Sequence, residues 1–382
     1  MGTNCLSNYK ICDLNKVVWF QEGPGVRKNQ FRTSGVKLLN VGNICDRKLV
    51  LDKTSIYISE EEAYGKYKHF LVDEGDLLIA SSGIKVEYFD KKITFAEKEH
   101  LPLCMNTSTI RFKVIDKDIL DINYFRYFLT SKYFTRQIQF HITGSAQLNF
   151  GPSHLNKMKI ILPLISEQKR IAERLDKVQE LIALQKEQLK KLDELIKSRF
   201  IDLFGDPETN TKHWPLISWD SLFLVVTGKL DANAMEENGK YPFFTCAKER
   251  FRINSYAFDQ KALLLAGNNA TADYDVKFYE GKFNAYQRTY VISLKNEQRS
   301  YIVYKFLLEQ KLQLMKRLSK GTNTRYLTLS ILKDFKFLDL PIPQQTQFAD
   351  FVAKIEKQKG LLATRLSHLE TLYKSLMQEY FG

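Results

Sequence analysis

The sequence predicts an α+β chain: two mixed α/β domains joined by two long antiparallel coiled-coil helices, built as an internal tandem repeat with pseudo-two-fold symmetry. Three observations carry that prediction. Residues 144–205 superimpose on residues 321–382 without a gap. The first copy holds a run from Ser166 to Phe204 with neither Gly nor Pro and with apolar residues at spacings of three and four. The residues ahead of each copy form strand-like runs that end in polar loops.

The repeat comes first, because missing one misassigns the whole fold. At a constant offset of 177, Gly144 falls on Gly321, Leu155 on Leu332, Lys159 on Lys336 and Gln168 on Gln345. Ala172 falls on Ala349, Leu184 on Leu361, and Phe204-Gly205 on Phe381-Gly382. The chain therefore reads domain, helix, domain, helix, with boundaries at 1–165, 166–205, 206–342 and 343–382.

In the first helix the seam is Leu175, Val178, Ile182, Leu189, Leu192, Ile196 and Leu203, with Gln185 and Arg199 filling the two remaining positions. That alternation is the heptad signature of a coiled coil. In the second it is Val352, Ile355, Leu362, Leu366, Leu369, Tyr373, Leu376 and Tyr380, interrupted by Lys359. Ser166 reads as an N-cap with acid-favouring chemistry behind it. Gly205-Asp206-Pro207 reads as a stop: Gly takes the left-handed cap and Pro forbids continuation. Roughly 37 residues at about 1.5 Å each give a helix of about 55 Å. So long an apolar stripe needs a partner, and the nearest is the other copy, running antiparallel.

The domains read as mixed strand and helix. Strand-like segments are Val36–Val41, Asp76–Ala80, Thr109–Ile115, Ala262–Ala266 and Tyr290–Leu294. They lead into loops of Gly, Ser, Asn and Lys. Helical stretches near Asn123–Gln139 and Tyr301–Ser319 precede the repeat in both halves. Within the domains Gly75–Ala80 matches Lys261–Ala266 at an offset of 186, so the domains differ in length while the helices do not.

Composition bounds the function. Lys and Arg number 57 against 44 Asp and Glu, a net charge of +13, which points to an anionic partner with nucleic acid foremost. Cys5, Cys12, Cys45, Cys104 and Cys246 are odd in number and lack C-x-x-C spacing. They predict buried free thiols in a reducing cytoplasm, not disulfides or zinc. No signal peptide, no run of 18 apolar residues and no myristoylation Ser/Thr at position six appear, so a cytoplasmic chain without a membrane partner is expected. A P-loop, G-x-S-x-G, H-E-x-x-H and an EF-hand loop are all missing. So are a Gly-rich cofactor loop and an Asn-Pro-Pro-aromatic tetrapeptide, which a methyltransferase would carry. Asp73, Glu74 and Asp76 read as surface acids in a turn.

The resemblance enters with residues 162–207, LPLISEQKRIAERLDKVQELIALQKEQLKKLDELIKSRFIDLFGDP, and with 340–382, LPIPQQTQFADFVAKIEKQKGLLATRLSHLETLYKSLMQEYFG. These look like the central and distal spacers of Type I restriction–modification specificity subunits. YKICDLNKVV, KLLNVGNI and DEGDLLIASSG resemble the opening of a target-recognition domain; YPFFTCAKERF and FNAYQRTYVI resemble the second. GSAQLNF and GTNTRYLTLSIL are similar to the loops leading into each spacer. The resemblance covers nearly the whole chain. It implies that each domain reads half of a bipartite site in double-stranded DNA and that the helices dock two modification subunits. Those carry S-adenosylmethionine and methylate adenine; two restriction subunits add an ATP- and Mg-dependent motor and nuclease. This chain would bind no cofactor or metal and have no catalytic residue. An orphan DNA-binding protein and a coiled-coil adaptor are the alternatives. Lys359 in the seam departs from the regular pattern and implies a looser pair near that end.

DNA reading needs cations for phosphates and bidentate groups for base edges. In the first domain the glycine-flanked loop offers Arg27, Lys28, Asn29, Gln30 and Arg32. Ser82, Lys85, Ser145, Gln147 and Asn149 follow in two further loops. In the second domain Lys248, Arg250 and Arg252 cluster around Phe251, with Asn254 beside them. Asn268, Asn269 and Thr271 follow a strand directly, and Gln287-Arg288 lies in a family-like position. Lys320, Thr322, Asn323, Thr324 and Arg325 put cation, amide and hydroxyl in one loop. The chain is expected to be a monomer.

Overall fold

Two helices of 40 residues, Ile165–Phe204 and Ile342–Phe381, organise the chain in the computed structural model, which describes residues 9–142, 147–269, 274–318 and 326–382. The first begins two residues after Pro163 and the second directly after Pro341, and each ends at a left-handed glycine, Gly205 (φ 78°) and Gly382 (φ 81°). Ser166 is not the N-cap. The first helix starts one residue before it, and the Leu164 carbonyl accepts from the amides of Glu167 and Gln168, both at 2.9 Å.

The chain divides into two units, Met1–Leu184 with Arg365–Gly382, and Gln185–Thr364. Each contains one globular body and part of both helices. In the first unit Arg174 donates to the Tyr380 hydroxyl at 2.9 Å and Gln179 to that of Tyr373 at 2.9 Å. One helix advances as the other retreats, so the segments are antiparallel. In the second unit Lys359 meets Asp193 at 2.8 Å and the rings of Phe200 and Phe348 lie 5.3 Å apart, the same sense. Leu175, Val178, Ile196, Val352, Ile355, Leu376 and Tyr380 are buried. Ile182, Gln185, Leu189, Leu192, Arg199, Leu203, Lys359, Leu362, Leu366, Leu369 and Tyr373 are half-buried.

The first globular body is built on a four-stranded antiparallel sheet in the order Val18–Glu22, Thr109–Val114, Leu77–Ala80, Ile93–Phe95. Leu77–Ala80 is buried on both faces, which explains its unbroken apolar run. The helix expected near Asn123–Gln139 is two, Ile122–Thr130 and Lys132–His141. Ser131 takes extended dihedrals (φ −74°, ψ 156°), ends the first and caps the second through its hydroxyl. A second sheet pairs Val36–Leu39 with Leu103–Met105 in parallel and with Tyr57–Ile58 antiparallel.

The second body has a six-stranded sheet: Phe223–Thr227, Thr289–Leu294, Phe258–Ala266, Val276–Ala285, Tyr241–Phe244, Phe251–Ile253. Helix Tyr301–Leu318 lies against it. In both bodies a strand from the start pairs with the one entering the long helix: Lys10–Asp13 with Lys159–Leu162, and Leu216–Ser218 with Lys336–Leu338.

Gln168 and Gln345 have no exposed surface. The Gln168 amide donates to the carbonyls of Pro163 and Ile119, both at 2.9 Å, and its oxygen accepts from the Asp121 amide at 2.9 Å. The Gln345 amide donates to the Leu340 carbonyl at 2.7 Å, and its oxygen accepts from the Ser300 amide at 2.8 Å. Each side chain ties the base of a long helix to the cap of the domain helix beside it.

Asp76 is no surface acid: it is 3% exposed and meets Arg111, 6% exposed, at 3.2 Å. Arg111 also donates to the carbonyls of Leu71 and His69, at 2.6 and 2.8 Å, so both buried charges are satisfied. Of the four described cysteines, all free, only Cys104 is buried; burial pushes its thiol up to about 12. Cys5 lies outside the described residues.

Candidate nucleic-acid interface

In the first unit the loop after strand Leu77–Ala80 meets the segment that leads into the long helix. The Ser81 carbonyl accepts from the Phe150 amide at 3.0 Å. Ile84-Lys85 pairs with Gln147-Leu148. Asn149 Oδ1 accepts from the Ser82 hydroxyl at 2.6 Å and from the Gly83 amide at 2.8 Å. The glycine-flanked loop joins them: Gly23 donates to Thr109 at 3.0 Å, Thr107 to Pro24 at 2.9 Å, and Ser81 to Ser108 at 2.9 Å. Gly23 is required here, since a Cβ would lie 2.2 Å from the Asn106 carbonyl oxygen.

Side chains around this cluster divide into working and free. Arg27, Lys28, Asn29 and Lys85 are exposed. Gln30 is a strut: its amide donates to Glu62 at 2.6 Å and to the Tyr67 hydroxyl at 3.0 Å. Arg32 donates to the carbonyls of Asn29 and Phe31, at 2.9 and 3.0 Å. Asn149 is held on Ser82 and Gly83. Ser145 lies outside the described residues.

The second unit repeats the arrangement. The Gly267 carbonyl accepts from the Leu327 amide at 2.8 Å, the counterpart of the Phe150 bond to Ser81, and Asn268 bridges to Tyr326. The Gly267 amide donates to Arg288 at 2.7 Å, and the Tyr286 amide to Phe244 at 2.9 Å. Lys277 Nζ donates to the Ala247 carbonyl at 2.7 Å, and burial pushes this amine below the ordinary lysine value. The Ala247 amide donates in turn to the Thr245 hydroxyl at 3.2 Å. Loops 245–250, 267–269, 286–288 and 326–327 thus gather at the end of one sheet.

The basic group around Phe251 is divided. Arg252 donates backward to the carbonyls of Gly239 and Lys240, at 2.6 and 3.0 Å, and Asn254 is held by Glu236. Arg250 sits over the rings of Phe244 and Tyr279. Lys248 is exposed and partnered. Asn268 and Asn269 are half-buried, the latter partnered, and Arg288 is exposed. Gln287 donates to Asp231 at 2.7 Å. Thr271, Lys320, Thr322, Asn323, Thr324 and Arg325 lie outside the described residues. Sequence reasoning missed the supports Thr245, Tyr279 and Lys277, whose spacing carries no signal. Among the described residues no three His, Cys, Asp or Glu side chains gather to hold a metal ion, and no helix is long and apolar enough to cross a membrane.

The model of the Type I restriction modification DNA specificity domain fits residues 7–194 and again 212–371. The chain belongs to this family. It is 36% identical over 166 residues to the Type I restriction enzyme EcoDI specificity subunit of Escherichia coli, covering 43% of this chain and 36% of that protein. It is 27% identical over 191 residues to the MjaVIII specificity subunit of Methanocaldococcus jannaschii, covering 48% and 43%. The aligned stretches thus span less than half of these curated relatives. The fold is shared with the S subunit of a Type I restriction–modification system from M. genitalium, with TM-score 0.64, 16% identity, and coverage of 100% of this chain and 98% of that one.

Proposed function

We propose that this chain is the sequence-specific DNA-binding specificity subunit of a Type I restriction–modification complex, each unit reading one half of a bipartite site in double-stranded DNA. The observation that carries the reading is the duplicated junction. Phe150 on Ser81 and Leu327 on Gly267 are the same hydrogen bond in two bodies whose surrounding loops differ in length and side chain. A fixed frame with variable loops suits two readers of different half-sites. The net charge of +13 supplies the phosphate attraction that both require.

The long helices carry a second duplicated feature. Leu184 and Leu361 are 45% and 60% exposed; Leu195 and Leu372, also one repeat apart, are 46% and 44% exposed. Matching exposed leucines on both helices support two copies of one docking partner, the modification subunits. S-adenosylmethionine resides on those subunits, and ATP and Mg on two restriction subunits. This chain supplies the address in the cytoplasm and no catalytic group.

The test is a map of adenine methylation across host DNA with and without the gene. A bipartite motif with a fixed unspecified gap should vanish on deletion. If the map is unchanged and the purified chain also binds DNA without steep salt dependence, the reading is wrong.

A further inference from the structure

Among the cations of the second unit's loop cluster, Arg250 is held differently from its neighbours. The guanidinium of Arg252 is occupied by two backbone carbonyls, and Lys277 is turned inward onto Ala247. Arg250 is exposed and makes no hydrogen bond or ion pair among the described residues. Its guanidinium carbon lies 5.6 Å from the centroid of the Phe244 ring and 5.8 Å from that of Tyr279.

This platform is rigid. Phe244 is buried, and the Tyr279 ring packs against Phe244 at 5.4 Å and Phe283 at 5.7 Å. The Phe244 carbonyl is fixed by the Tyr286 amide and the Thr289 hydroxyl. The loop between Phe244 and Arg250 is pinned at Ala247 from both sides, by Lys277 and by Thr245. An arginine resting on aromatic faces keeps its donors free while losing rotamer freedom in advance. A fork so prepared suits planar bidentate recognition better than contact with a diffuse charge.

We infer that Arg250 is a base-reading group of the second unit, presenting its fork to the O6 and N7 acceptors of a guanine in the major groove. The inference rests on the specificity-subunit reading and narrows it to one residue and one base.

The experiment uses the full chain in complex with modification subunits, as wild type, Arg250→Lys and Arg250→Ala, and maps adenine methylation for each. Arg250→Lys keeps the charge and removes the fork. Expected is a motif that loses one G·C position in one half-site, discrimination there falling roughly ten- to a hundredfold, with the other half-site intact. A motif unchanged in both variants overturns the inference. So does an Arg250→Ala complex that methylates every site less but equally, with a shallower salt dependence of DNA binding, because that is a phosphate contact. Failure of the underlying reading is seen separately: the wild-type complex would then mark no bipartite motif at all.

Discussion

Gln345 has no exposed surface and uses both ends of its amide, on Leu340 and Ser300. Replacing it with Leu keeps the volume and leaves the half-buried Ser300 N–H and the buried Leu340 carbonyl without partners. Each such group costs about 1–3 kcal/mol. Gln345→Leu should therefore lower stability by about 2–4 kcal/mol, read as the midpoint shift in urea unfolding; a loss under about 0.5 kcal/mol would mean that water replaces the amide. The repeat marked this residue and Gln168 as a matched pair, yet their work was not legible. Their partners lie at another element's end, 47 and 45 positions away for Asp121 and Ser300. The DNA-reading candidates show the same limit. Arg250 and Arg252 look alike in the sequence, but Arg252 is committed to two carbonyls and Arg250 is not.

At the scale of elements, the long helices are legible to within a residue of their ends, because a heptad stripe and a terminal glycine are local signals. The stripe alone did not show how Lys359 is accommodated. Its amine meets Asp193 of the facing helix and Glu356 of its own, at 2.8 and 2.7 Å. The repeat equivalent of Lys359 is Ile182, so hydrocarbon is tolerated at that level of the seam. Both acids are more than half exposed and lose little if the amine goes. Lys359→Ile should raise stability by about 1 kcal/mol, measured by thermal unfolding. A drop of similar size would show that the ion pair is the better seam contact. Phe200 was missed for the opposite reason: it lies outside the stripe, yet it is buried against Phe306 at 4.4 Å and Phe348 at 5.3 Å.

For the whole molecule, the proposed reading of a bipartite site requires a fixed distance between its two half-sites. Leu189 sits half-buried in the seam of the second unit, and Leu366 in that of the first. Leu189→Asp with Leu366→Asp puts an unpaired carboxylate in each, a cost of a few kcal/mol in total. Methylation of the full bipartite motif should be lost from the map of adenine methylation. Retention of the motif with its gap unchanged would mean that the helix seam does not hold the spacing.

The sequence by itself determined the duplication, the two helices, the α+β class and the family. The first three are written in period, offset or composition, and the family in the resemblance of whole segments; all survive without knowing the fold. Only the tertiary structure decided which polar groups are already employed. It put Asp76 in the interior with Arg111, turned Gln30 and Arg252 into struts, seated Arg250 on Phe244 and Tyr279, and joined loop 267–269 to Tyr326. The physical reason is that a hydrogen bond or a ring contact is made by groups that meet in space. Chain separations of 35 between Asp76 and Arg111, or 58 between Asn268 and Tyr326, leave no periodic trace for a sequence to show.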